Sequence, residues 1–318
     1  VQPDAVCITG AMENHPRVLQ ELSTRATLLA PAVNQIARMR DPFDLQAVLA
    51  NSGFLYPRTF ASNTRLPQDE TLWLKKPIAS AAGQGIHAID NTHTGSLDPT
   101  MIIQERIPGR SISVSFLMHP ARTVLLGCTE QLLGHSELHA SEFQYCGSIG
   151  PLLIPACINR QILELGQFLQ NQYALRGLIG VDLILHDNQL WLIEINPRYT
   201  ASMELFESQF DRSRIQLHLD SFASNPASFN RIDHAKMSYG KAVLFAQATT
   251  QIPNEFQPIW QAALNCQRPT VADLPAIGTT VLVDHPLFTI FACGESAAET
   301  KTKLHQQAAT FYNRLYKA

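Results

Sequence analysis

Two apolar runs, residues 178–185 (LIGVDLIL) and 190–195 (LWLIEI), are separated only by His186-Asp187-Asn188-Gln189. Four polar residues cannot hold a crossover helix, so the runs are expected to pair antiparallel as a hairpin. Side chains alternate along a strand, and Asp182 precedes Glu194 by 12 residues, an even number. With an odd number of residues in the loop, Asp182 lies directly across the ladder from Glu194, and Asn196 follows on the same face. Two carboxylates and an amide oxygen converging there repel one another unless a cation intervenes, and oxygen-only donors suit Mg²⁺. The plainer alternative is a solvated strand face, and the hairpin alone leaves both readings open.

The neighbouring segments decide more. Pro197-Arg198 follows Asn196 directly, and a guanidinium suits a bidentate grip on phosphate or carboxylate oxygens. Upstream, Lys76 closes a strand expected over residues 71–76, just before the small-residue run PIASAAGQGI at 77–86. Small side chains let backbone N–H groups approach phosphates, and a lysine beside them offsets part of the charge. Taken singly, Lys75 and Lys76 could be a solvated edge strand and Gly83-Gln84-Gly85 a plain turn. A rival reading is the dinucleotide fingerprint, because residues 83–88 match G-x-G-x-x-A and Glu105 lies 20 residues after Gly85. That fingerprint needs a long helix directly after the glycines, and the polar residues 90–96 break one almost at once. A Walker loop is absent from the sequence.

Hydrophobic residues make up 45% of the 318, enough for sizeable cores, and the length suggests two or three domains at roughly 150 residues each. Basic and acidic residues nearly balance, 24 against 27, so no basic surplus drives binding to nucleic-acid phosphates. No run approaches the roughly 20 apolar residues of a membrane-spanning helix. Six cysteines without a C-x-x-C pair read as reduced, buried thiols of a cytoplasmic protein, with no signal peptide expected. The start at Val1 rather than Met suggests that sequence precedes it.

Residues 111–118 alternate, with Ile112, Val114, Phe116 and Met118 on one side and Ser111, Ser113, Ser115 and Leu117 on the other. This predicts a half-buried strand, with residues 123–133 as its antiparallel partner. Residues 159–173 predict an amphipathic helix burying Ile162, Leu165, Phe168 and Leu169. After Asp41-Pro42, the residues Phe43, Ala47, Val48 and Phe54 follow an approximate helical period, stopped by Asn51-Ser52-Gly53. Strands are expected at 238–248, 280–283 and 288–292. A closing helix follows over 296–315, with Ser296 as N-cap and Glu299 at capping-box spacing.

The order of these parts resembles the ATP-grasp superfamily over roughly residues 41–230: Lys76-Pro77, the small-residue flap, Gln104-Glu105-Arg106-Ile107-Pro108-Gly109, then GVDLIL and LWLIEINPR. The resemblance is most specific in E-I-N-P-R and the preceding G-V-D. It implies an α+β ATP-grasp fold, two α+β lobes holding ATP between them. Residues 1–40 would be the end of an N-terminal α/β domain, 41–230 the ATP-grasp domain with a flap lobe at about 70–108, and 231–318 a C-terminal α+β subdomain. The implied roles put Lys76 on the phosphates, with Ser80, Ala81, Ala82, Gly83 and Gly85 in the flap. Gln104, Glu105 and Ile107 would sit in the hinge that holds adenine. Asp182, Glu194 and Asn196 would bind two Mg²⁺ ions (or Mn²⁺), and Arg198, with Lys76, would be catalytic. Tyr145, Gly147, Arg198 and Ser202 would line the substrate site. Ser111 stands where many members carry an acidic ribose contact, so that contact is unassigned.

Within the superfamily, Gln131, residues 143–148 (FQYCGS), Asn14-His15-Pro16, Asp273-Leu274-Pro275, Pro286 and Thr289 resemble an amino-acid-ligase-like branch. That branch includes tyramine–glutamate ligases and proteins associated with tetrahydromethanopterin-linked one-carbon metabolism. The resemblance implies a carboxylate–amine ligase working through an acyl phosphate, with an amino acid such as glutamate joined in building a methanofuran-like cofactor. Its partners would be small-molecule carboxylates and amines, not nucleic acid or membrane, in a chain that could assemble as a homo-oligomer. The alternatives are a biotin-carboxylase-type enzyme making carboxyphosphate and a non-catalytic ATP-binding regulatory subunit. His135 and His139 stand at H-x-x-x-H spacing, but their neighbours make no convincing amphipathic helix and no third ligand lies nearby in sequence. Zinc is therefore set aside here.

Overall fold

A computed structural model of the chain describes residues 3–90, 92, 95, 97–223, 228–230, 237–267 and 269–316. It opens with β1 (Ala5–Cys7), α1 (Pro16–Arg25), β2 (Thr27–Leu29), α2 (Val33–Arg40) and α3 (Pro42–Leu49). Next come β3 (Thr59–Ala61), β4 (Trp73–Pro77), β5 (His87–Ile89), β6 (Met101–Glu105) and two long strands, β7 (Arg110–His119) and β8 (Arg122–Leu133). Then follow β9 (Tyr145–Gly150), α4 (Ala156–Tyr173), β10 (Gly177–His186), β11 (Gln189–Asn196) and α5 (Arg214–Ser221). The last elements are β12 (Ser238–Phe245), β13 (Thr250–Gln251), α6 (Gln257–Leu264), β14 (Val271–Ala272), β15 (Thr280–Val281), β16 (Pro286–Gly294) and α7 (Ala297–Tyr316). They form two compact units, residues 1–128 with 153–232, and residues 129–152 with 233–318. The division is not linear along the chain: β9 is grouped with residues far downstream.

The first unit holds three sheet segments. β1 and β2 pair in parallel. β3, β6, β4 and β5 form an antiparallel sheet in that order. β11, β10 and β7 follow one another antiparallel. β5 comes directly after the glycine loop and pairs with β4, so the helix a dinucleotide fingerprint requires is replaced by a strand. β7 corrects the expectation of a half-buried strand, because Ser113 and Ser115 are as buried as Ile112 and Val114. Each of its faces is covered. A Cβ on Gly166 of α4 would fall 2.6 Å from the Phe116 ring. Leu117 on the other face joins Leu178, Met203 and Leu217 in one apolar cluster.

Two helix readings also shift. In α3 the Asp41 carboxylate caps the helix, accepting from the Phe43 and Asp44 N–H groups at 2.8 and 3.4 Å. The buried stripe is Pro42, Leu45 and Leu49, while Phe43 is exposed. In α4 the inward stripe includes Ile162, Leu165 and Leu169 as expected. Phe168 is only half-buried and lies 5.3 Å, ring to ring, from Phe54.

The second unit pairs the end of β8 with β9, then β12, β16 and β14, all antiparallel. α7 buries Thr300, Leu304, Ala308 and Tyr312 against this core, with Phe256, Trp260 and Phe288. Its start is capped as expected at one end only. The Ser296 hydroxyl accepts from Glu299 N–H at 3.1 Å, but the Glu299 carboxylate reaches Glu295 N–H rather than that of Ser296. All six cysteines are free. Cys128 and Cys146 are buried, whereas Cys157, Cys266 and Cys293 are exposed, against the expectation that all would be interior. No helix among the described residues is long and apolar enough to cross a membrane.

Candidate functional site

The β10–β11 turn has only two residues, Asp187 and Asn188, both with positive φ (48° and 61°), as a tight hairpin turn requires. That loop is even, not odd, and taken alone would put Asp182 out of line with Glu194. A bulge restores the pairing. Leu183 faces Leu192, then Ile193 is the extra residue, and Asp182 faces Glu194 with Gly180 opposite Asn196. The expected juxtaposition of the two carboxylates is therefore present, reached by a different backbone route.

Two polar chains run from this pair. Asp182 accepts from Asn196 Nδ2 at 3.0 Å, and Asn196 Oδ1 accepts from Arg198 Nη2 at 3.3 Å. Arg198 is clamped in turn by Glu13, through Nε at 3.0 Å and Nη2 at 2.9 Å. Glu13 is only 2% exposed, and that guanidinium is its buried ion-pair partner. From the other carboxylate, Glu194 accepts from Arg40 Nη1, and Arg40 Nη2 donates to Asn14 Oδ1 at 2.9 Å. Asn14 Nδ2 then donates to the Ser80 carbonyl of the flap at 3.0 Å.

Burial, then the charge of Glu194, pushes the Asp182 carboxyl up to about 7. Burial also works against the Arg40 charge, but Glu194, and after it Glu13 and Asp182, outweighs it, so the Arg40 pKa goes up. Arg40 Nε is buried without a hydrogen-bond partner.

Lys76 Nζ donates to Gln104 Oε1 at 2.9 Å, and Gln104 Nε2 donates to the Thr59 hydroxyl at 2.9 Å. Burial pulls the Lys76 pKa down, opposed chiefly by Glu194. Lys76 borders a pocket of about 70 Å³, lined also by Arg40, Tyr56, Ile102 and Glu194 and by Ser80, Ala81, Ala82 and Gly83 of the small-residue loop. Its charged lining is two cations, Arg40 and Lys76, and one carboxylate, Glu194.

The remaining expected residues fall in varied places. Glu105 is held by Arg58, whose Nε lies 2.9 Å from its Oε2, and Ile107 is buried. Gly85 packs against Pro77 and does not line the pocket. Ser202 is buried, with its hydroxyl 3.3 Å from that of Ser113 and 3.1 Å from that of Thr200. Tyr145 and Gly147 belong to the second unit. The Tyr145 hydroxyl bonds that of Ser148 at 2.8 Å. Gly147 has a packing reason to be glycine, since a Cβ there would sit 2.2 Å from the Lys241 carbonyl oxygen. Sequence reasoning missed Glu13, Arg40 and Tyr56 and gave Asn14 no role. Asn14-His15-Pro16 was the sole signal nearby.

The donor set fits Mg²⁺. Asp182 and Glu194 face each other across the ladder, burial and then the Glu194 charge raise the Asp182 pKa, and the third oxygen of the set, Asn196 Oδ1, accepts from Arg198 here. The carboxylate pair thus lies among two arginines and a lysine beside a loop of small residues. The chain belongs to the ATP-grasp domain family, whose model matches residues 39–202, just over half of it. The α+β architecture described above is the ATP-grasp fold. The chain is similar to D-alanine–D-alanine ligase of Petrotoga mobilis, 24% identical over 168 residues, covering 49% of this chain and 56% of that protein. It is also similar to an uncharacterized protein of Methanocaldococcus jannaschii, 21% identical over 277 residues, covering 84% and 63%. The chain thus spans less than two thirds of the length of either relative. Among solved structures, carboxyaminoimidazole ribonucleotide synthase of Aspergillus clavatus in complex with ATP is 13% identical, covering 95% of this chain and 80% of that one, at a TM-score of 0.69. That last likeness concerns the fold alone.

Proposed function

We propose that the chain is an ATP- and Mg²⁺-dependent carboxylate–amine ligase. The observation that carries the reading is the register of the hairpin, which sets Asp182 against Glu194 beside Arg40, Lys76 and Arg198. A substrate carboxylate oxygen attacks the γ-phosphorus, ADP leaves, and an acyl phosphate forms. An amine then attacks the acyl carbon, phosphate leaves and the amine loses a proton, giving the amide. Magnesium held by Asp182, Glu194 and Asn196 would supply charge neutralisation on the nucleotide's phosphate tail.

The chain's own residues do the rest. Lys76 and Arg40 place fixed positive charge on the phosphate side of the pocket, and Arg198 holds the transferred group's oxygens while Glu13 keeps its guanidinium in place. Residues 80–85 exclude water, which otherwise hydrolyses the acyl phosphate. Similarity to D-alanine–D-alanine ligase supports amide formation. The finer reading, an amino acid such as glutamate joined in making a furan-type one-carbon cofactor, rests on the sequence resemblance.

The test is ADP release across a panel of amino acids and amines, with bicarbonate as a separate arm and hydroxylamine added as a trap. Hydroxamate formation that depends on an amino acid supports the reading. ADP release with bicarbonate alone indicates carboxyphosphate chemistry instead, and nucleotide binding without ADP under any acceptor indicates a binding subunit.

A further inference from the structure

Outside the nucleotide site, the second unit gathers three metal-ligating side chains from distant parts of the sequence. His135 and Glu137 lie in the turn after β8, and His305 lies on α7, 170 residues beyond His135. One ligand atom from each is within 4.8 Å of the other two, and His135 Nδ1 is 3.9 Å from Glu137 Oε2. The imidazoles are tilted with ring centroids 5.7 Å apart, so they are not stacked on one another. His305 Nε2 is buried without a hydrogen-bond partner, a cost that a native fold rarely bears without reason. The turn is fixed to the helix independently, because the Tyr312 hydroxyl donates to the Leu138 carbonyl at 2.8 Å.

His139, at H-x-x-x-H spacing from His135, is turned away. It bonds Gln247 and packs edge-on against Tyr312 at 4.7 Å. The third ligand that the sequence did not offer nearby comes instead from α7.

We propose that His135, Glu137 and His305 form a site for a divalent transition metal of the zinc class, tying the turn after β8 to α7. Two imidazoles and one carboxylate are the donors such ions prefer, whereas Mg²⁺ and Ca²⁺ take oxygen. Tetrahedral ligands at about 2.1 Å from the metal stand about 3.4 Å apart, so closure needs side-chain movements of the order of an ångström. Of the charged groups facing His135, Lys301 and His305 oppose a cation there and Glu137 and Glu130 favour one.

The test is a Zn²⁺ titration of the full chain, with millimolar Mg²⁺ present to occupy oxygen-donor sites and a chromophoric chelator as competitor. The expected result is one Zn²⁺ per chain, weakened roughly 100-fold in His135→Ala and His305→Ala and unchanged in His139→Ala. Circular dichroism of the metal-free variants checks folding, and His305→Gln replaces His305→Ala if the latter does not fold. Co²⁺ in the wild-type chain gives a readout that needs no variant, through the intense visible bands of a four-coordinate site. The absence of both Zn²⁺ binding and those bands overturns the site, as does a loss of less than about tenfold on removing His305.

Discussion

Both units bury apolar side chains, but they differ in what accompanies them. The first puts Glu13, Gln104, Asn196 and Ser113 at 5% exposure or less, with Asp182 held among them. The second fills its interior with rings. Trp260, Phe256 and Phe311 surround Phe288 with centroids 4.9 to 6.1 Å apart, mostly edge to face. Aromatic burial of that kind stabilises a fold, and edge-to-face pairs add further. Buried ionic groups rarely do, because their desolvation cancels most of the mutual attraction. The contrast is the one the proposed function requires: the first unit keeps buried charges at the candidate site that a purely structural core would replace.

The largest expected effects test the two sides of this contrast directly. Glu194→Gln should lower ADP formation at least about ten-thousandfold, roughly 5.4 kcal/mol of transition-state stabilisation, while the circular dichroism spectrum is retained. Near wild-type turnover in that variant removes the metal and phosphate assignment. Phe288→Ala should instead cost about 3–5 kcal/mol of folding stability through the cavity it leaves, with kcat of the folded protein changed less than about twofold. Urea denaturation and activity on the same preparation separate these outcomes. A Phe288 variant with intact stability and lost activity inverts the comparison.

The sequence made the hairpin, the flap and the Lys76 strand legible because each rests on a short period or a local run. It made the Asp182–Glu194 pairing legible only by parity, and the parity came from the Ile193 bulge rather than the loop. What it hid is non-local. Arg40 meets Glu194 across 154 residues and Arg198 meets Glu13 across 185, distances at which no spacing rule operates. β7 misled for a related reason: its serines alternate as if facing water, yet a helix lies on one side and an apolar cluster on the other. His305 escaped notice because H-x-x-x-H spacing directs attention to His139.

Two middle-sized effects sharpen the electrostatic side. The Asp182 pKa, raised from 3.8 to about 7, means that the folded chain binds a proton there more tightly than the unfolded chain. Between about pH 4 and pH 7 the folded state therefore holds more protons, and stability falls as pH rises through that window and levels off above it. Without metal or nucleotide, Asp182→Asn should remove that decline and gain up to about 4 kcal/mol at pH 8. Parallel pH–stability curves for the two proteins count against the buried carboxylate pair. Lys76→Ala should weaken ATP binding about tenfold, near 1.4 kcal/mol, and an unchanged affinity by calorimetry removes the phosphate role of Lys76.

The smallest effect concerns access. A pocket of about 70 Å³ is far below the roughly 300–1,000 Å³ of small-molecule sites, so the proposed nucleotide role requires residues 80–83 to move. The bond in the way is Asn14 Nδ2 to the Ser80 carbonyl, and the same amide anchors Arg40 through its oxygen. Removing it costs the closed form about 1 kcal/mol, the usual net value of one hydrogen bond. Asn14→Ala should therefore raise the nucleotide association rate about fivefold in stopped-flow measurements, with little change in kcat at saturating ATP. An association rate that stays the same means that the flap does not depend on this contact. A kcat that falls in step with Glu194→Gln means that Asn14 acts through Arg40 on the charged centre rather than on entry to it.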